Sequence, residues 1–167
     1  MRGVKFSLAS WAGRTALLLT CLSAVAPVAM AQIESRIGTW ELDLDKSTFS
    51  PGPSPRRQTL TYRAAGKQWT ALLQGIDAAG IPINPDVDNL VITFDGRDHP
   101  TATVDYETTT WQRVNASQYL VIRKKAGKVV LTSSNGLSAD GKTMTITTTG
   151  KNAAGQAVNN VRVYAKR

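Results

Sequence analysis

Apolar and polar residues alternate in short runs along most of the chain. In residues 37–44, Trp40, Leu42 and Leu44 fall on one face against Thr39, Glu41 and Asp43. In 58–63, Leu60 and Tyr62 oppose Thr59, Thr61 and Arg63; further on, Trp69, Ala71 and Leu73 share a face, as do Leu90, Ile92 and Phe94. Trp111 and Arg113 belong to a run near 108–114, followed by Tyr119, Val121 and Arg123 opposing Leu120 and Ile122. Val129 and Leu131, then Met144 and Ile146 among threonines, continue the pattern to a last run, 157–166, in which Val161 and Val163 alternate with Arg162 and Tyr164. Side chains two apart on a strand share a face, so this period predicts about nine strands and no sustained helix.

Glycine turns separate the runs. Gly66, Gly80 and Gly96 are fourteen and sixteen apart, and Gly127, Gly141 and Gly155 are fourteen apart. Glycine accepts the positive φ of tight hairpins, so the spacing predicts one antiparallel meander. A long meander leaves unpaired edges unless its first and last strands meet, which predicts an all-β barrel of roughly eight to ten strands with no major helix. The proline-rich stretch Phe49-Ser50-Pro51-Gly52-Pro53-Ser54-Pro55-Arg56-Arg57 breaks the rhythm. It cannot join a central strand, and reads as a surface link or as a loop crossing one mouth. Ile81-Pro82-Ile83-Asn84-Pro85 reads as a loop or sheet edge.

The first 31 residues change the domain picture. Arg2, Lys5 and Arg14 precede the uncharged stretch 16–28, and Ala29-Met30-Ala31 gives a small-x-small site before Gln32. This predicts a cleaved signal peptide over 1–31, a single domain over 32–167, and a protein exported to the periplasm or beyond, with no stable membrane insertion after cleavage. Cys21 follows Leu18-Leu19-Thr20, a poor lipobox, so lipid anchoring is disfavoured. Cleavage at Ala31 removes the chain's one cysteine, and with it disulfides, thiolate chemistry and Cys-bound metal. The remaining domain carries a net charge of +5. Its densest basic group, Arg123-Lys124-Lys125 with Lys128, flanks a turn and reads as a solvated hairpin end rather than a nucleic-acid surface.

Chemistry is sparse. His99 is the chain's one histidine and lies in a turn beside Asp98, so no transition-metal set is expected; Asp86 and Asp88 alone are weak cation ligands. No nucleophile motif or phosphate-cradling glycine loop supports an enzyme, and no cofactor is expected. Arg162 and Tyr164 stand side by side on the last strand. If Val161 and Val163 face the core, the pair lies outside; if the valines face out, the pair forms an inward clamp for an anion. Alternation alone favours the first arrangement. Trp40 and Trp69 read as core plugs or as ligand-stacking rings.

Gly38-Thr39-Trp40-Glu41-Leu42 resembles the opening strand of lipocalins and fatty-acid-binding proteins, the calycin group. Val161-Arg162-Val163-Tyr164-Ala165-Lys166 is similar to the closing strand of the fatty-acid-binding proteins. Lys46-Ser47, Ser50-Pro51-Gly52-Pro53 and Ser138-Ala139-Asp140-Gly141-Lys142 resemble small exported lipocalin-like proteins of bacteria. The resemblance implies that Trp40 plugs one barrel end and that Arg162 and Tyr164 point inward to hold a ligand's carboxylate. It also implies a third inward arginine, for which Arg113 and Arg123 have the right strand phase. The chain departs from the family in carrying Pro51, Pro53 and Pro55 where the intracellular members have a helical lid. The expected function is an exported carrier of a small amphipathic molecule. The alternative is a protein-binding barrel with a filled interior, such as an inhibitor of an envelope hydrolase. A lumen of several hundred Å³ separates the two.

Overall fold

The structure, a computed structural model, describes residues 35–83, 90–101, 103 and 105–167; the signal-peptide segment, Cys21, Asp86 and Asp88 lie outside them. Beyond a short helical stub at Ser35 and Arg36, the described residues form strands and turns. In chain order these are β1 (Gly38–Thr48), β2 (Arg57–Ala65), β3 (Gln68–Ile76), β4 (Pro82–Ile83), β5 (Leu90–Ile92), β6 (His99–Pro100), β7 (Thr108–Arg113), β8 (Gln118–Lys125), β9 (Lys128–Leu137), β10 (Thr143–Lys151) and β11 (Ala157–Lys166). Every pairing is antiparallel, and the path runs β4-β3-β2-β1-β11-β10-β9-β8-β7-β6. The expected all-β meander is therefore present, and its first and last strands meet, with Trp40 opposite Lys166 and Leu42 opposite Tyr164.

Hydrogen bonding along the ladder does not close the ring by itself. Residues 90–100 do so by changing partners. Leu90–Ile92 pairs with Ala71–Trp69 on β3, Gly96 N–H donates to Trp111 O at 3.3 Å, and His99–Pro100 pairs with Thr109–Thr108 on β7. One diagonal run thus bridges the two edges. Phe94 carries the same closure into the core, with its ring 4.9 Å from both Trp69 and Tyr119.

The alternation in the sequence is the burial pattern in space. Trp40, Ile92, Met144 and Tyr164 are fully buried, with Leu60, Tyr62, Trp69, Trp111, Val121, Leu137 and Ile146 around them. Leu44 departs from its phase and is 38% exposed. The register between β1 and β11 slips between Asp43 and Thr48, and such a bulge breaks the two-residue period. A hairpin of charge and hydroxyl holds the bulge: Lys46 pairs with Asp43 at 2.8 Å, and Ser47 Oγ accepts Val163 N–H at 3.0 Å.

Arg36 closes one end and was not anticipated. It is 1% exposed, donates to Asn135 Oδ1 at 2.7 Å and to Ser117 O, and lies 4.8 Å from the Tyr119 ring centroid. Trp40 Nε1 donates to Arg36 O at 2.8 Å, which fixes the stub beneath the barrel.

Candidate functional site

Above this plug the barrel is hollow, enclosing about 540 Å³. That is a typical volume for a small-molecule site. Its two halves differ. On β2, β3 and β5 the wall is Leu60, Ala71, Leu73 and Leu90 with Tyr62; on β8 to β11 Val121, Leu131, Ile146 and Val158 are interspersed with Arg123, Ser133, Asn135, Thr148, Asn160, Arg162 and Tyr164. The polar half follows from phase. Ser133 and Asn135 share a face with Leu131 and Leu137, and Thr148 shares one with Met144 and Ile146.

Hydrogen bonds knit that wall across strands. Arg123 Nη1 donates to Ser133 Oγ at 2.7 Å, and Ser133 Oγ and Thr148 Oγ1 lie 2.8 Å apart. The Arg123 guanidinium also sits 5.3 Å from the Tyr106 ring centroid. Burial lowers the Arg123 pKa from the ordinary arginine value; the Tyr106 phenol opposes this, and the charge of Arg162 adds to it. Tyr164 O–H donates to Gln58 Oε1 at 2.7 Å, and burial raises its pKa while Arg162 works against that rise. Tyr62, which accepts a long bond from Asn135 Nδ2 at 3.4 Å, is pushed up to about 12, chiefly by burial.

Neither Arg123 nor Arg162 forms an ion pair; the pairs among the described residues are Lys46–Asp43, His99–Asp95, Lys124–Asp98 and Arg167–Glu41, all near the surface. Arg162 Nε is buried without a hydrogen-bond partner. Asp105 also lines the hollow, its Oδ1 accepting Ala153 N–H at 3.0 Å, and among the described residues it pairs with neither arginine, so two cations against one acid favour an anion over a neutral apolar molecule.

The structure brings Arg123, Arg162 and Tyr164 together at the cavity. The inward arrangement of the last strand is the one the fold adopts, because Leu42 and Met144 flank Tyr164, and Ile146 flanks Arg162, on the inner face. Of the other three candidates, Arg113 needs correction and the two tryptophans take the core-plug reading. Arg113 keeps the inward phase but sits at the end of β7, exposed, with Nε donating to Asn115 O at 3.1 Å, and does not line the hollow. Trp40 is sealed between Arg36 and Lys166, whose Nζ lies 5.5 Å from its ring. Trp69 is spent on the aromatic cluster, 5.9 Å from Tyr62 and 6.1 Å from Tyr119. Both tryptophans are core rather than ligand-stacking rings.

Tyr62, Tyr106, Ser133, Asn135 and Thr148 are cavity residues that the sequence reading did not single out. For Ser133, Asn135 and Thr148 a signal existed: a polar residue two positions from an apolar one on the inward face. His99, bound to Asp95 at 2.9 Å, lies at the surface away from the hollow.

No protein-family model and no curated protein matches the sequence. A solved structure, zebrafish ileal bile acid-binding protein complexed with cholic acid, matches with a TM-score of 0.53 at 13% identity, covering 80% of this chain and 99% of that one. The likeness shows the fold alone, an all-β barrel similar to that of this neighbour.

Proposed function

We propose that this protein is a carrier of a small acidic amphipath, held inside the barrel with its anion at Arg162 and its apolar body against Leu60, Leu73 and Leu90. The observation that carries the proposal is the hollow of about 540 Å³ lined by Arg123 and Arg162 against one acid, Asp105, with neither arginine in an ion pair among the described residues. An arginine in such a setting forms charge-assisted hydrogen bonds to a carboxylate or phosphate, stronger than neutral ones. Tyr164 sits beside it as a protonated phenol, and Gln58 holds its hydroxyl in place. The fold neighbour was solved with cholic acid, itself an acidic amphipath, which supports the reading at the level of ligand class.

The hollow also weighs against the alternative of a filled, protein-binding barrel, since that reading requires side chains where the space lies. We read the site as one of binding without turnover. The signal-like segment at 1–31 makes export, and carriage within or beyond the cell envelope, part of the proposal.

Replacing Arg162 tests it. Arg162→Ala removes an interaction worth about 1.5–3 kcal/mol to a charged partner, so affinity for a fatty or bile acid falls roughly ten- to a hundredfold. Stability changes modestly, because Arg162 Nε has no partner to lose and the bond that goes is the one between its guanidinium and the Tyr164 phenol. Isothermal titration of the wild type and the variant measures the first, and urea unfolding the second. Unchanged affinity would remove Arg162 from the site whatever the fold.

A further inference from the structure

The hollow does not stop at Arg162. A second, shallower one of about 450 Å³ lies beyond it and shares Pro51, Asn160 and Arg162 with the first. Its walls are the proline-rich strap (Phe49, Pro53, Pro55) on one side and the turn from Asp77 to Ala79 on the other. The strap is tied to β11: Asn159 N–H donates to Ser50 O at 2.6 Å, and Ser50 N–H donates to Asn160 Oδ1 at 2.8 Å. The two hollows therefore adjoin at Arg162, whose side chain lines both, beside backbone that these two hydrogen bonds hold together.

On the far side stands an acid. Asp77 Oδ1 accepts Ile81 N–H at 2.8 Å, and the carboxylate joins no ion pair among the described residues. Arg56 Nε donates to Ala78 O at 3.2 Å, and its guanidinium lies against Gly80 of the same turn without lining the hollow. The barrel hollow carries Arg123 and Asp105 within its apolar wall, Arg162 stands where the two hollows share lining, and the second hollow has Asp77 as its acid beside Phe49 and the prolines. A complementary ligand has the order hydrocarbon, anion, cation. A terminal carboxylate has nothing to place beyond Arg162. A phosphodiester keeps its charge with substituents on both sides.

We propose that the ligand is a single-chain phosphodiester lipid with an ammonium in its head group, the phosphate at Arg162 and the ammonium at Asp77 under the strap. This rests on the carrier reading and specifies its ligand. The site then selects by what lies past the anion. Arg162 supplies affinity for any acid, while Asp77 distinguishes a cationic head from a neutral one.

The test compares lysophosphatidylethanolamine, lysophosphatidylglycerol and a fatty acid of equal chain length, each displacing a fluorescent probe from the wild type and from Asp77→Asn. Asparagine retains the oxygen that Ile81 N–H needs, and the fatty acid, which does not reach residue 77, reports that the variant is folded. Lysophosphatidylethanolamine is expected to bind about five- to tenfold more tightly than lysophosphatidylglycerol in the wild type, and about equally in the variant, with fatty-acid binding unaltered. A fatty acid that binds as tightly as lysophosphatidylethanolamine overturns the assignment and leaves the carrier reading standing, as does a lysolipid ratio that Asp77→Asn does not change. If none of the three lipids binds, the carrier reading falls and this assignment falls with it.

Discussion

Tyr62 and the pair on β11 show what single residues decide. Burial, the leading cause, raises the Tyr62 phenol from 10.0 to about 12. A phenol in the unfolded chain ionises near pH 10, whereas the folded one stays protonated until about 12. The stabilisation is thus whole below pH 10 and is lost as pH rises through 12, a change on the order of 2–3 kcal/mol. Tyr62→Phe should unfold in urea with a shallower loss of stability between pH 9 and 11.5; Tyr119 and Tyr164, also raised by burial, keep some of the slope. An unchanged slope would mean that Tyr62 does not titrate late. Arg162 and Tyr164 were legible as neighbours on one face, and their inward direction only through the family resemblance. Alternation favoured Val161 and Val163 inside, since burying a guanidinium costs more than exposing two valines. The fold reverses this because the outward valines are partly covered by the β1 bulge, where Ser47 binds Val163, and because the inner face offers hydroxyls and space.

At the scale of elements, the diagonal run from β5 to β6 does what no continuous ladder does. Its ties to the far edge are few, and Asp98 supplies two of them: the carboxylate accepts Thr110 Oγ1–H and pairs with Lys124 at 2.8 Å. Lys124 first, and then Thr110, hold the Asp98 carboxyl below its usual value. That contribution is present above the unfolded carboxyl pKa, near 3.9, and disappears as pH falls through the lower folded value. Asp98→Asn should therefore be less stable at pH 7 and lose less further stability between about pH 5 and pH 2, as followed by thermal unfolding. Equal acid sensitivity in both proteins would show that the seam does not depend on this carboxylate. The strands themselves were legible from period and turn glycines. The seam was not, because a run that changes partners halfway looks like one strand, Leu90, Ile92 and Phe94, followed by a loop. The proline-rich strap was legible as an interruption, but its place at the mouth depends on Ser50 meeting Asn159 and Asn160, over a hundred residues away.

The whole molecule is held by its ends. Lys166 donates to Ser35 O, Arg167 N–H donates to Thr39 O at 3.0 Å, and Arg167 pairs with Glu41 at 2.7 Å. Arg36 then ties the first described turn to β9 and to the loop before β8, beneath the cavity. Arg36→Ala leaves Asn135 Oδ1 and two carbonyl oxygens without that donor and opens a void, so unfolding in urea should show a loss of about 3 kcal/mol. A loss under 1 kcal/mol would make the plug incidental.

Strand period, turn glycines and the matched ends were enough for the sequence alone to determine an all-β meander whose termini pair. Those signals are local: each depends on residues within one strand or one hairpin. Which side chains form one layer of the wall depends instead on the register of strands far apart in the chain. Tertiary structure therefore decided between the two directions open to Arg162, turning it inward as the resemblance implied, chose Arg123 over Arg113 as its neighbour, added Ser133 and Thr148 to the same wall, and left a hollow where a filled core was the alternative.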